Sequence, residues 1–181
     1  MKNIHKLVLA AMFLAIGHIL PFLTGQIPQI GKMLLPMHIP VLLCGFICGW
    51  QYGLIVGFVL PLMRSMILGM PLMFPTAVCM AFELAAYGAV SGLLYGRVRR
   101  RNVVVIYGCL LTAMICGRIV AGIAKIFCLG VGADGFTLQA FYAGSFLNAI
   151  PGIVLQLVVI PAILVALSRR ENVADLAEVK E

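Results

Sequence analysis

Apolar residues run through this chain in six long stretches, broken by short segments rich in glycine, proline and charge. The stretches cover about residues 4–23, 33–49, 53–69, 74–95, 103–128 and 145–168. A helix needs about 20 apolar residues to cross the hydrocarbon core, so each stretch predicts a membrane span or close to one. The breaks have recognisable chemistry. Thr24 to Lys32 carries Gly25, Pro28 and Gly31 and reads as a loop. Gly49-Trp50-Gln51-Tyr52-Gly53 reads as a tight turn with two aromatics at headgroup level, and Gly69-Met70-Pro71 as another break. Arg97 to Asn102 is a basic hairpin, and Gly130 to Thr137 a polar loop. The second stretch is the shortest and holds Pro36 and Pro40. A helix beginning around His38 tolerates a proline in its first turn, where no helical bond is lost. Thr24 to Met37 is then an apolar outer loop, partly inserted and folded over something.

Composition supports the bilayer as solvent. The chain is 63% hydrophobic and 10% charged, against roughly a quarter charged in soluble domains, and a small soluble fold could not hide that much apolar surface. The net charge of +7 does not point to nucleic acid, because the basic residues sit between the apolar stretches, at a membrane surface. Lys2, Lys6, Arg97, Arg99, Arg100, Arg101, Arg169, Arg170 and Lys180 fall on one side, whereas the opposite loops hold only Lys32. The positive-inside rule puts both termini in the cytoplasm, which six crossings satisfy and five do not. The N-terminus mimics a signal peptide but has no small-x-small site before Pro21, and reads as an uncleaved first helix. The expected fold is therefore an all-α integral membrane protein: a compact six-transmembrane-helix bundle over residues 1–168 with a short charged cytoplasmic tail, 169–181.

The sequence also excludes chemistry. The six cysteines lie in apolar runs and read as small buried hydrophobes, with no His or carboxylate at ligand spacing beside Cys44 and Cys48. Phosphate-loop, zinc-protease and hydrolase-elbow motifs do not occur. No catalytic residue, metal or cofactor is expected.

A charge inside a bilayer is costly, by about 2.5–3.5 kcal/mol on insertion scales, so such groups face protein or water. Four ionisable groups lie well inside the stretches: Arg64, Glu83, Arg118 and Lys125. In the expected topology all fall in the outer part of the membrane or just beyond its middle, with Tyr142 and Asn148 near the outer start of the last helix. Arg118 and Lys125, seven apart, share a helical face, as do Glu83 and Tyr87, four apart. This predicts a polar pocket opening outward, with a surplus of positive charge that favours an anion, a carboxylate best of all. The competing reading pairs Glu83 with Arg118 as scaffold and lets Arg64 and Lys125 snorkel to the headgroups.

Small residues also recur at spacing four: Ala11 and Ala15; Gly45, Gly49, Gly53 and Gly57; Gly88, Gly92 and Gly96. Such faces let helices approach closely, mostly inside the bundle. A lipid-facing set would instead dock another membrane protein.

Several segments together resemble the substrate-binding (S) components of energy-coupling factor vitamin transporters. They are Leu35 to Gly45 (with Pro36, His38 and Pro40), Gly49 to Gly53, Pro61-Leu62, Gly69-Met70-Pro71, Glu83 to Gly88, and Asn148 to Ile153 with Gln156 and Pro161. Ala11-Met12-Phe13-Leu14-Ala15 looks like that family's Ala-x-x-x-Ala docking motif. The resemblance implies a high-affinity micronutrient binder in a prokaryotic cell membrane with no motor of its own. Its partners would be a membrane coupling subunit, which Ala11 and Ala15 would meet, and two cytoplasmic ATPases. The ligand would sit near the outer face under the loop joining the first two helices, so Gln26, Lys32 and His38 would belong to a lid. The pantothenate branch is the most similar. The expected function is capture of a small anionic vitamin, with Arg64, Arg118 and Lys125 near the anion. Glu83, Tyr87 and Asn148 would bind hydroxyl or amide groups. The rival classes are a membrane-embedded lipid-modifying enzyme, which would need a nucleophile or metal cluster the sequence does not offer, and a purely structural helical subunit.

Overall fold

The computed structural model describes residues 3–24, 33–98, 102–130 and 149–178. Six helices account for nearly all of them: α1 (Asn3–Ile19), α2 (His38–Cys48), α3 (Trp50–Leu68), α4 (Val78–Arg97), α5 (Val103–Leu129) and α6 (Ile150–Glu178). No strand occurs among the described residues. Five helical segments are long and apolar enough to cross a membrane, the first being α1 with its 3-10 extension to Phe22. The sixth, α2, has 11 residues and rises only about 16 Å, about half the hydrocarbon thickness of roughly 30 Å. Ten of its residues are buried, as expected of a helix apolar on all sides. It is a core element wrapped by longer helices.

The helix ends follow the local chemistry. His38 opens α2, so Pro40 falls in the first turn, where its missing N–H costs nothing. The turn between α2 and α3 is tighter than its sequence suggests. Gly49 alone reverses the chain, at φ 99°, where a Cβ would be strained. Trp50 to Gly53, expected in the turn, already form the first turn of α3. Gly69, also left-handed, ends α3. A wide turn at Met73–Ala77, with Phe74 extended, leads into α4. At the other end of the chain α6 continues to Glu178, so most of the expected tail is helical.

Pairwise contacts fix the directions. Asn3 and Tyr52 meet at one end of the bundle and His18 and Arg64 near the other, so α1 and α3 run the same way. Gly57 lies on Leu84, Gly53 on Gly88 and Trp50 on Gly92, so α3 and α4 are antiparallel. The α2–α3–α4 junction is a glycine seam. A Cβ on Gly88 would collide with the carbonyl of Gly53, one on Gly57 with that of Leu84, and one on Gly45 with Ser91 and the carbonyl of Gly88. The spacing-four glycines thus serve internal packing here, with two exceptions: Gly49 makes the turn, and Gly96 is exposed with open space beside it. α1 packs on α2 and α3 through Ala10 and Gly17, the latter against Leu60. Ala11 and Ala15 point away from the bundle, beside exposed Leu7, Val8, Met12 and Ile19.

Candidate functional site

Three helices bring their polar side chains to one carboxylate. Glu83, on the buried face of α4, accepts at Oε1 from Arg118 Nη1 of α5 at 2.9 Å and from the hydroxyl of Tyr87, one turn along α4, at 3.3 Å. His38 of α2 places Nε2 3.6 Å from the same oxygen, and its ring stands edge-on to Tyr87 with centroids 5.2 Å apart. All four side chains are buried. Gly117, next to Arg118, gives Tyr87 its room: a Cβ there would lie 2.8 Å from the phenol ring. The sequence sets this up locally. Glu83 and Tyr87 share a helix face at spacing four, and the glycine seam holds α2 and α4 close enough for His38 to reach them.

The structure sorts the expected site residues into three groups. Glu83, Tyr87 and Arg118 meet. Lys125 lies seven residues beyond Arg118 on α5, half-buried and about 10 Å further along the axis. Arg64 is held elsewhere. Its Nη1 donates to the carbonyl of His18 at 2.8 Å, and its guanidinium lies 5.4 Å from the centroid of the Phe22 ring. It neither joins the Glu83 cluster nor snorkels, being only 5% exposed; it ties the end of α1 to α3. The expected set of cations around one anion is thus reduced, since Arg118 is neutralised by Glu83 and Arg64 is spent on a backbone carbonyl. Asn148, Tyr142, Gln26 and Lys32 lie outside the described residues.

His38 corrects one expectation outright. The resemblance placed it in the lid over the ligand; the structure makes it the first residue of α2, where the sequence expects that helix to begin, 2% exposed and against Glu83. Pro40 sits in the first turn, as expected, and the imidazole projects into the bundle.

Gln156 of α6 went unassigned by sequence reasoning, although it too is a buried polar side chain. It is 1% exposed, and neither its Nε2 nor its Oε1 has a hydrogen-bond partner among the described residues. Its face of α6 also carries Gly152, Ile160 and Leu164, all buried. A Cβ at Gly152 would meet the Met33 carbonyl at 2.6 Å, so this face is pressed against the chain just before α2. A polar side chain within an otherwise apolar span is the signal that could have found it.

This multi-helix membrane bundle buries a carboxylate, an arginine, a tyrosine, an imidazole and an amide, groups that a bilayer penalises unless they face protein, water or a ligand. A sequence model of one family, the ECF transporter, substrate-specific component, matches residues 5–164, and the chain belongs to that family. No curated protein and no solved structure matches it. Members of the family are the substrate-binding subunits of importers, not enzymes; they work with a membrane coupling subunit and ATPases. That removes the lipid-modifying alternative.

Proposed function

We propose that this chain captures a small anionic vitamin or vitamin precursor, of pantothenate type, in an outward-facing pocket. The pocket would be built on the Glu83–Arg118 layer of a prokaryotic cell membrane protein with both ends in the cytoplasm. The observation that carries the reading is the gathering of Tyr87, Arg118 and His38 on one buried carboxylate oxygen. Buried polar groups face one another, water or a ligand, and here they come from three helices to one point. Arg118 and Glu83, already paired, would offer a ligand hydroxyl both a donor and an acceptor. The anionic end of the ligand would lie toward Lys125, on the same face of α5 and further from the terminal end. Asn148 would serve hydroxyl or amide groups, with Gln26 and Lys32 in the lid. Ala11 and Ala15, exposed on α1, would take the coupling subunit.

Calorimetry of the purified chain against pantothenate and a panel of other water-soluble vitamins tests the proposal. Sub-micromolar binding of one anionic member is expected, and no ligand tighter than micromolar would overturn it.

A further inference from the structure

The buried amide that the cluster does not use is that of Gln156, while the imidazole of His38, 3.6 Å from Glu83, makes no hydrogen bond of ordinary length among the described residues. Both side chains are at least 98% removed from solvent, and the nitrogens of both, with Oε1 of Gln156, lack any hydrogen-bond partner among the described residues. A buried amide without partners costs about 1–3 kcal/mol, and most buried polar groups in native proteins are satisfied. Gln156 sits in the second turn of α6 among apolar sequence neighbours. Its location gives it a use. α6 packs chiefly on α2 and α5, and those two helices carry His38 and Arg118, the groups that reach Glu83 from either side. The inward seam of α6, running through Gly152, Gln156 and Ile160, is therefore turned toward the helices that carry the layer.

Resting on the capture reading above, we infer that Gln156 is a specificity-determining residue: its side chain reads an amide or ureide edge on the ligand. A carboxamide presents one acceptor and one donor side by side, and its complement is a group offering a donor and an acceptor in the same plane. A free carboxylate or an ester supplies acceptors only and leaves the Gln156 N–H or C=O unmatched. His38, neutral or charged, adds a ring N–H from α2. The substrate class is thus narrower than a small anion: the ligand carries an amide-type group at the depth of Gln156 as well as its charge.

The test uses the full chain in lipid nanodiscs, with calorimetry and thermal unfolding. The probes are pantothenate, biotin and folate, which bear a carboxylate and also an amide or ureide, and pantoate and nicotinate, which bear a carboxylate alone. The wild-type chain is expected to bind a member of the first group. Gln156→Met should weaken that binding about 10- to 100-fold, the range for stranding one buried hydrogen-bonding group, while the ligand-free variant melts no lower than wild type. Replacing the amide N–H of the bound compound by an ester oxygen should weaken binding to the wild-type chain and hardly affect binding to the variant. Unchanged affinity in Gln156→Met, or tight binding confined to pantoate or nicotinate, overturns the inference and leaves the capture reading standing. A lowered melting temperature or loss of folded protein in the ligand-free variant overturns it too, since an amide without partners has no bond to lose. If the wild-type chain binds none of the five probes, the capture reading fails and this inference with it.

Discussion

Replacing Arg118 alone, and then together with Glu83, separates a pair that merely props the bundle from one that also holds a ligand. At 2.9 Å and an effective dielectric of about 20, the two charges attract by about 6 kcal/mol. Withdrawing each ion from water costs several kcal/mol, so the intact pair comes close to breaking even. Arg118→Met destroys that balance. It leaves a buried carboxylate that keeps the Tyr87 hydroxyl at 3.3 Å but has lost its guanidinium, and stability should fall by about 3–5 kcal/mol. Glu83→Leu combined with Arg118→Met removes both ions, and should return the fold to within about 1 kcal/mol of wild type, or better. Thermal unfolding of the single and double variants in one detergent reads the coupling as a double-mutant cycle. Calorimetry with the vitamin that the wild-type chain binds reads function on the same samples. The expectation is a stable double variant that no longer binds. A double variant as unstable as Arg118→Met would refute the charge-compensation argument, and one that binds normally would remove the pair from the site.

Gly88→Leu should destabilise the bundle by at least about 1–3 kcal/mol, because its Cβ already collides with the Gly53 main chain; the yield of monodisperse protein after heating checks it. Arg64→Met should loosen the end of α1 by about 1.5–3 kcal/mol, since the His18 carbonyl loses a charged donor, and faster amide hydrogen exchange confined to α1 is the readout. Ala11→Leu with Ala15→Leu should leave melting and ligand binding of the isolated chain unchanged, both residues being exposed, yet abolish co-purification with the coupling subunit.

The membrane character and most helix ends were legible in the sequence, because they depend on runs of residue type and on glycine and proline, which act locally. His38 as the start of α2 and Gly69 as the end of α3 are of this kind. The site was legible only where chemistry lies on one helix, as with Glu83 and Tyr87. The Glu83–Arg118 pair joins residues 35 apart, and no spacing rule distinguishes it from a pairing with Arg64. Whether Arg64 points at the site or at the backbone of α1 depends on how α1 and α3 are rotated, which the sequence does not encode visibly. Gln156 was visible as a residue but mute as a site, because its meaning lies in having no partner among the described residues, a property of the packed bundle. The short length of α2 was legible, since the prolines start it near His38 and Gly49 ends it, but its full burial was not, because a buried helix and a membrane span are equally apolar.

The main-chain contact of Gly53 with Gly88, and of Gly57 with Leu84, has a mechanical consequence. Helices that slide during a conformational cycle do so over intervening side chains that change rotamer, and along the glycine seam of α3 and α4 the main chains meet directly, with the Phe58–Phe82 ring contact beside it. The central slab is therefore a stiff keel. Any motion that opens or empties the cavity must come from the perimeter, where α1 buries few residues and α6 touches little besides α2 and α5, or from the whole molecule turning as one body.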